Sequence, residues 1–176
     1  MPRHASLTSL AVLATLLFAG CAGSPPAAMP SVPASIEAPP GSHAYLEARA
    51  SGVQIYECSA RPDSAPEWAF KAPEATLLDR AGHPLGKHYA GPTWEANDGS
   101  AVVGETKARD PGPTATAIPW LLLAVKSRSG AGALADTTFV QRIATTGGVA
   151  PVAGCDLSTL KQQARVPYSA TYVFYR

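Results

Sequence analysis

Charge is scarce in this chain: Asp, Glu, Lys and Arg supply 15% of its 176 residues, against about 25% in an ordinary soluble domain. Fourteen basic residues against thirteen acidic ones leave a formal net charge of +1. No basic field is available to attract nucleic acid or an anionic lipid surface. Cysteine is scarce too, at three residues, with no Cys-x-x-Cys pair and no Cys/His cluster to frame a zinc ion. The G-x-S-x-G elbow, the H-E-x-x-H pair and the P-loop are all missing, which removes the local signatures of α/β-hydrolases, zincins and P-loop nucleotidases. No motif calls for a cofactor. Long stretches with an apolar period of 3.6 are also lacking, so long amphipathic helices are not expected.

Gly and Pro, by contrast, are plentiful, at 15 and 17 residues. The N-terminus opens on Met1, Pro2, Arg3 and His4, continues through an apolar run from Leu7 to Phe18 and ends on Ala19, Gly20 and Cys21. A basic start, an apolar centre and a small-residue junction form an export signal, too short for the ~20 apolar residues of a membrane-spanning helix. The junction Leu17-Phe18-Ala19-Gly20-Cys21 resembles a bacterial lipobox, with Phe18 standing where that pattern favours Leu. The resemblance implies that residues 1–20 are removed and that Cys21 is acylated, tethering the protein to a membrane without spanning it. Several acyl chains, at roughly 0.8 kcal/mol per buried methylene, would hold far more firmly than one. Ala22 follows the cysteine where retention at the inner membrane would call for Asp, so the expected address is the outer membrane, on its periplasmic face or at the cell surface.

With Cys21 assigned to lipid, Cys58 and Cys155 remain as an even pair in an exported chain, and a disulfide is the expected outcome. Residues 21–43 are Pro-rich, nearly uncharged and aperiodic, and read as an extended tether. Its later part, from Val32, is expected against the folded domain.

From Ala44 the pattern changes to short β-type runs broken by Gly, Pro, Asn and Asp every eight to twelve residues, the signature of an all-β sandwich or barrel. About eight to ten antiparallel strands are expected in a single domain over residues 44–176, near Tyr45–Arg49, Val53–Cys58, Trp68–Lys71, Thr76–Asp79, Leu85–Ala90, Thr93–Ala96, Ala101–Lys107, Ile118–Lys126, Thr138–Thr146 and Ala170–Tyr175. One short helix is expected over Asp156–Gln163, with Asp156 as its cap. Ile118–Val125 is nearly continuous in apolar residues, so both of its faces should be buried, with Pro119 at its start. In the last run Tyr168, Ala170, Tyr172 and Phe174 share one face, and Val173 and Tyr175 the other.

Residues 88–100, HYAGPTWEANDGS, are the densest in chemistry. Asp98-Gly99 is first a hairpin turn, since a two-residue type I′ turn needs positive φ at both positions. That turn pairs Trp94 with Val103, whereas a three-residue loop would face Trp94 to Val102 instead. The best catalytic or metal-binding set is His83, His88, Glu95 and Asp98, with Asp79 nearby, and His88 with Glu95 is its candidate catalytic pair. Such groups act only if they converge within hydrogen-bond or ligand distance. Asp98 is explained by the turn and His83 by a Gly-His-Pro bend. Of the aromatics Tyr56, Trp68, Tyr89, Trp94, Trp120 and Tyr168, which could line a cavity, Tyr89 and Trp94 flank a Gly-Pro bend and are the preferred ligand-binding pair. Gly130–Ala135 fits the G-x-G-x-x-G/A dinucleotide pattern, but the β-branched and aromatic Thr137-Thr138-Phe139-Val140 follows it where a helix should open. It reads as a turn.

Gly52–Cys58 (GVQIYEC), His88–Glu95 with Asp98-Gly99-Ser100, Ile118–Leu123 (IPWLLL) and Val166–Tyr175 (VPYSATYVFY) occur in an order that resembles a family of exported bacterial and fungal proteins known only as a domain of unknown function. The resemblance covers roughly Val32–Arg176. It implies one β-rich domain, a Cys58–Cys155 disulfide and no established activity. The leading expectation is a lipoprotein that binds a small molecule or an envelope component without catalysis. The alternatives are a hydrolase- or isomerase-like enzyme using His88 and Glu95, with or without a metal, and a purely structural envelope protein with no cavity.

Overall fold

The computed structural model describes Met1 and residues 31–176. The expected signal segment, Cys21 and most of the tether lie outside the described residues. Eight strands in chain order, β1 (Ala44–Arg61), β2 (Ser64–Leu78), β3 (Pro84–Tyr89), β4 (Thr93–Ala96), β5 (Ala101–Asp110), β6 (Trp120–Ser129), β7 (Phe139–Gly147) and β8 (Gln163–Tyr175), form one closed antiparallel barrel in which each strand pairs with its sequence neighbours and β8 pairs with β1. Closure removes the free sheet edges that an open sheet of this length would expose.

The strand count falls at the lower end of the expected range because two expected breaks do not occur. Tyr45–Arg49 and Val53–Cys58 are parts of one strand, since Ser51 and Gly52 stay paired with both β2 and β8. Trp68–Lys71 and Thr76–Asp79 likewise merge into β2. Pro73 is tolerated inside that strand because β3 pairs with β2 only from Ala75 onward, so the missing N–H of Pro73 deprives no partner on that side. The helix expected over Asp156–Gln163 is absent. Asp156 instead accepts from the backbone N–H and hydroxyl of Ser158, at 2.7 and 2.6 Å, in a tight turn. Such local bonds compete with helix formation.

Alternation decides what each face does. Ala48, Ala50, Leu77, Trp94, Val102, Leu123, Val140, Tyr172 and Phe174 belong to one buried cluster inside the barrel. Outside it, Trp120, Leu122, Ile143 and Val173 form a second cluster, covered by Ile36 and the partly buried Val32 and Ala38. The N-terminal strap, which includes a 3-10 turn at Ala34–Ile36, thus buries the outer face of β6, with Gln141 Nε2 donating to Ile36 O at 2.7 Å. This is why Leu121, Leu122 and Leu123 can follow one another in a strand.

The two ends of the barrel differ. At one end the β6–β7 loop folds over the opening and inserts Leu134, which is 1% exposed. Ser100 Oγ accepts from Leu134 N at 3.0 Å, Asp98 Oδ2 accepts from Ala133 N at 2.7 Å, and the Tyr45 hydroxyl donates to Ala133 O at 3.0 Å. Gly130–Ala135 therefore serves as a plug and not as the start of a nucleotide-binding helix. The other end is bordered by the long β1–β2 hairpin, the Gly91-Pro92 bend, the segment before β6 and the β7–β8 loop. A disulfide from Cys58 to Cys155 fastens that last loop to β1, and Trp68 Nε1 donates to Ala153 O at 2.9 Å beside it.

Candidate functional site

The hairpin at residues 88–100 sets the geometry of the interior. Asn97, Asp98 and Gly99 form a three-residue loop, with Gly99 N–H donating to Ala96 O at 3.0 Å and Gly99 at φ 86°. A type I turn followed by a left-handed glycine is the usual three-residue solution, and it faces Trp94 to Val102, not to Val103 as a two-residue turn would have done. Trp94 thereby shares the inner face with Val102. The ring also lies on Gly104, where an added Cβ would come within 2.9 Å of Trp94 Cζ3. Across the other pairing, His88 sits opposite Trp94 and Lys87 opposite Glu95.

That register separates the expected catalytic pair. His88 points into the barrel and is 3% exposed, while Glu95 lies on the outer surface and bonds to Lys87 Nζ at 3.1 Å. The Tyr89 hydroxyl donates to Glu95 Oε2 at 2.6 Å, so Tyr89 is on the outside as well and lines no part of the interior cavity. Residues an odd number apart on continuous strands face opposite ways, and no bend here reverses them. Asp98 stays in its turn, accepting from the Ser100 N–H and hydroxyl. Asp79 and His83 bond to each other at 3.1 Å in an exposed turn. Among the described residues no group of three or more His, Cys, Asp or Glu could hold a metal ion.

What the fold does bring together is a cavity of about 560 Å³ at the unplugged end of the barrel, within the range of ligand pockets. His88, Trp94 and Tyr172 form an aromatic wall there, with His88 stacked on Trp94 at 4.6 Å between ring centroids and Tyr172 tilted against His88 at 4.9 Å. Tyr56, Phe70, Ile118, Leu121 and Leu123 complete the apolar lining. Besides His88, its polar members are Gln54, Lys71, Thr106, Arg109 and Arg142, and no carboxylate lines it. Of the expected cavity aromatics, Tyr56 and Trp94 take that role. Trp120 packs under the strap, Trp68 stands at the rim and Tyr168 is buried in the interior beside Gln54.

His88 Nδ1 lies 2.8 Å from Thr93 O. A carbonyl can only accept, so Nδ1 carries the proton and Nε2 keeps its lone pair. Burial, reinforced by the positive charge of Arg142, pushes the His88 pKa down to about 3 despite the bond to Thr93. The imidazole is neutral. Arg142 itself is fixed by Pro119 O, which accepts from its Nε at 3.1 Å and its Nη2 at 2.8 Å.

Around these groups the polar accounting is incomplete. Gln54 Nε2, Trp94 Nε1, Tyr168 OH and Tyr172 OH are buried without a hydrogen-bond partner. Burial raises the pKa values of both Tyr168 and Tyr172, which stand near Gln54 and Arg142, yet none of the four unpartnered atoms reaches bonding geometry. Buried polar atoms are satisfied in the great majority of cases, and each exception costs about 1–3 kcal/mol. Here four such atoms fall on neighbouring residues of the interior. A second depression, outside the barrel near Tyr45 and Asp79, lies over the Glu47–Arg80 ion pair, whose charged groups already satisfy each other at 2.6 Å.

Gln54, Tyr172 and Arg142 were not singled out by sequence reasoning. One signal was available for Arg142: it falls two residues after Val140, on the inward face of a strand whose other residues are largely apolar.

Comparison with known proteins bears on the family alone. Residues 39–176 match the family model described as "Protein of unknown function (DUF3455)". No curated protein and no solved structure matches the chain.

Proposed function

Because the chain belongs to this DUF3455 family, for which no reaction is prescribed, we propose from its own geometry that it is an exported lipoprotein whose barrel binds a small molecule in its lumen without catalysis. The observation that carries the reading is that three of the residues lining the cavity, Gln54, Trp94 and Tyr172, each hold a buried polar atom without a partner. Eight strands enclose just enough space for side chains to fill the interior or for one small ligand to enter. Here small residues on the inner face stand beside the aromatic wall, Ala48 paired with Tyr172 and Ala75 with His88. A purely structural barrel would have no use for such a lumen.

Catalysis by His88 has little support. Its carboxylate partner is on the far side of the barrel wall, and an imidazole whose conjugate acid titrates near pH 3 is a weak general base at neutral pH.

The lipid anchor rests on the lipobox around Cys21. The strap that follows it meets the barrel near the cavity's mouth, where Ser35 Oγ donates to Asp110 Oδ2 at 3.1 Å. A tether from an acylated Cys21 would therefore hold the mouth toward the membrane, at roughly 30 Å in polyproline geometry. A Cys21→Ala variant should be exported and recovered in the soluble fraction; retention in the membrane fraction defeats the anchor. For the binding function, a thermal-shift screen of metabolites and envelope components should find compounds that raise the melting temperature, since a ligand of the native state stabilises by RT ln(1 + [L]/Kd). Hits must lose their effect when Leu123→Trp fills the lumen. Hits indifferent to that change refute a luminal site.

A further inference from the structure

We propose that the ligand of this lumen is an amphipathic organic carboxylate, with its headgroup on Arg142 and its flat apolar body against the His88–Trp94–Tyr172 wall. The inference rests on the luminal binding reading above and adds the chemical class. Arg142 lies in a row of inward positions that runs across four strands, Arg109 of β5 opposite Leu121 of β6, Leu121 opposite Arg142 of β7, and Arg142 opposite Tyr172 of β8. Its Pro119 contacts involve Nε and Nη2 only, leaving both N–H groups of Nη1 and one of Nη2 without a partner among the described residues. A guanidinium edge held rigid on one side and open on the other suits the two oxygens of a carboxylate.

The electrostatics favour an anion. Neither Arg142 nor Arg109 forms an ion pair among the described residues, no Asp or Glu lines the cavity, and Lys71 at the rim is only partly offset by Glu57 at 3.4 Å. Arg142 is half-buried, and a cation partly withdrawn from water without a counter-charge gains from a ligand that supplies one. His88 cannot serve as the cation, being neutral with its proton on Nδ1. It can accept a proton-bearing group of the ligand at Nε2, while Trp94 Nε1 and Gln54 Nε2 are donors still without acceptors. One open guanidinium edge and a mainly apolar lining fit a monoanion with a hydrocarbon or aromatic body better than a multiply charged phosphate, which calls for several donors around it. The stacked wall favours an unsaturated or aromatic body.

The test uses the mature chain and matched pairs of probes: 2-naphthoate, cinnamate and dodecanoate, each beside its neutral primary amide. Dissociation constants are measured by calorimetry at neutral pH for the wild type, Arg142→Gln, Arg142→Lys and the rim variant Arg109→Gln. At least one acid should bind ten times or more tightly than its amide. Arg142→Gln should bring that ratio close to one while leaving amide affinity unchanged, and Arg142→Lys should keep part of the preference. Arg109→Gln, at an exposed site that does not endanger folding, should lower the ratio modestly. Equal binding of acids and amides by the wild type overturns the carboxylate assignment while luminal binding stands, as does an acid preference that survives Arg142→Gln. Failure of every acid and every amide to bind overturns both.

Discussion

Replacing His88 by Phe should flatten the dependence of stability on pH between 8 and 5. In the folded protein burial holds the His88 pKa near 3, against 6.5 for an unperturbed histidine. Above pH 6.5 the residue is neutral in both states and adds no pH dependence. As the pH falls below 6.5 the unfolded chain takes up a proton that the folded chain refuses, so stability declines by about 1.4 kcal/mol per pH unit until the folded-state pKa is approached. From pH 8 to pH 5 this amounts to about 2 kcal/mol from one side chain. The window is favourable, because carboxylates begin to titrate only below it and the other described histidines, His43 and His83, are exposed. Phe preserves the ring that stacks on Trp94 but leaves Thr93 O without its donor, which lowers stability by a similar amount at every pH and does not alter the slope. Urea denaturation at pH 8, 6.5 and 5 reads the difference. The wild type should lose about 2 kcal/mol across the series and His88→Phe far less. A wild type that is flat over this range, or a variant that keeps the wild-type slope, refutes the buried neutral imidazole.

Two further outcomes follow from the packing. Leu134→Ala, which removes the side chain that plugs the closed end, should destabilise by about 2–5 kcal/mol in denaturant titrations, as truncation of a fully buried leucine does; a change within 0.5 kcal/mol would mean that the loop does not seal the barrel. Cys58→Ser/Cys155→Ser should lower stability by about 4–5 kcal/mol on the chain-entropy estimate for a loop of 97 residues, visible as a drop in melting temperature that reductant reproduces in the wild type and not in the variant.

Much of the architecture was legible locally. Period-two alternation marked the strands, Asp98-Gly99 marked the turn, and the apolar run at Ile118–Val125 announced a strand buried on both faces before its cover was known. The two cysteines left after Cys21 pointed to their own pairing. The errors lie where local pattern competes with distant partners. Ser51-Gly52 and Pro73 look like breaks, yet the strands continue because neighbours across the barrel keep the backbone paired. Asp156 looks like a helix cap, yet its own turn with Ser158 satisfies the same groups more cheaply in entropy than a helix would.

The site was less legible for the same reason. His88, Tyr89 and Glu95 are close in sequence and rich in chemistry, but alternation across a barrel wall sends His88 inward and the other two outward. Arg142, some fifty residues later, is the group that meets His88 and Tyr172 in space. The sequence by itself determined the period-two strands, the turns and the candidates for disulfide and tether, because these depend on the preferences of neighbouring residues. Only the tertiary structure decided that the sheet closes, that Trp94 faces Val102, and that a cation and an aromatic wall share one lumen. Register and closure are set by pairings between distant strands, and a one-residue slip in any of them exchanges the inside of the barrel for its outside.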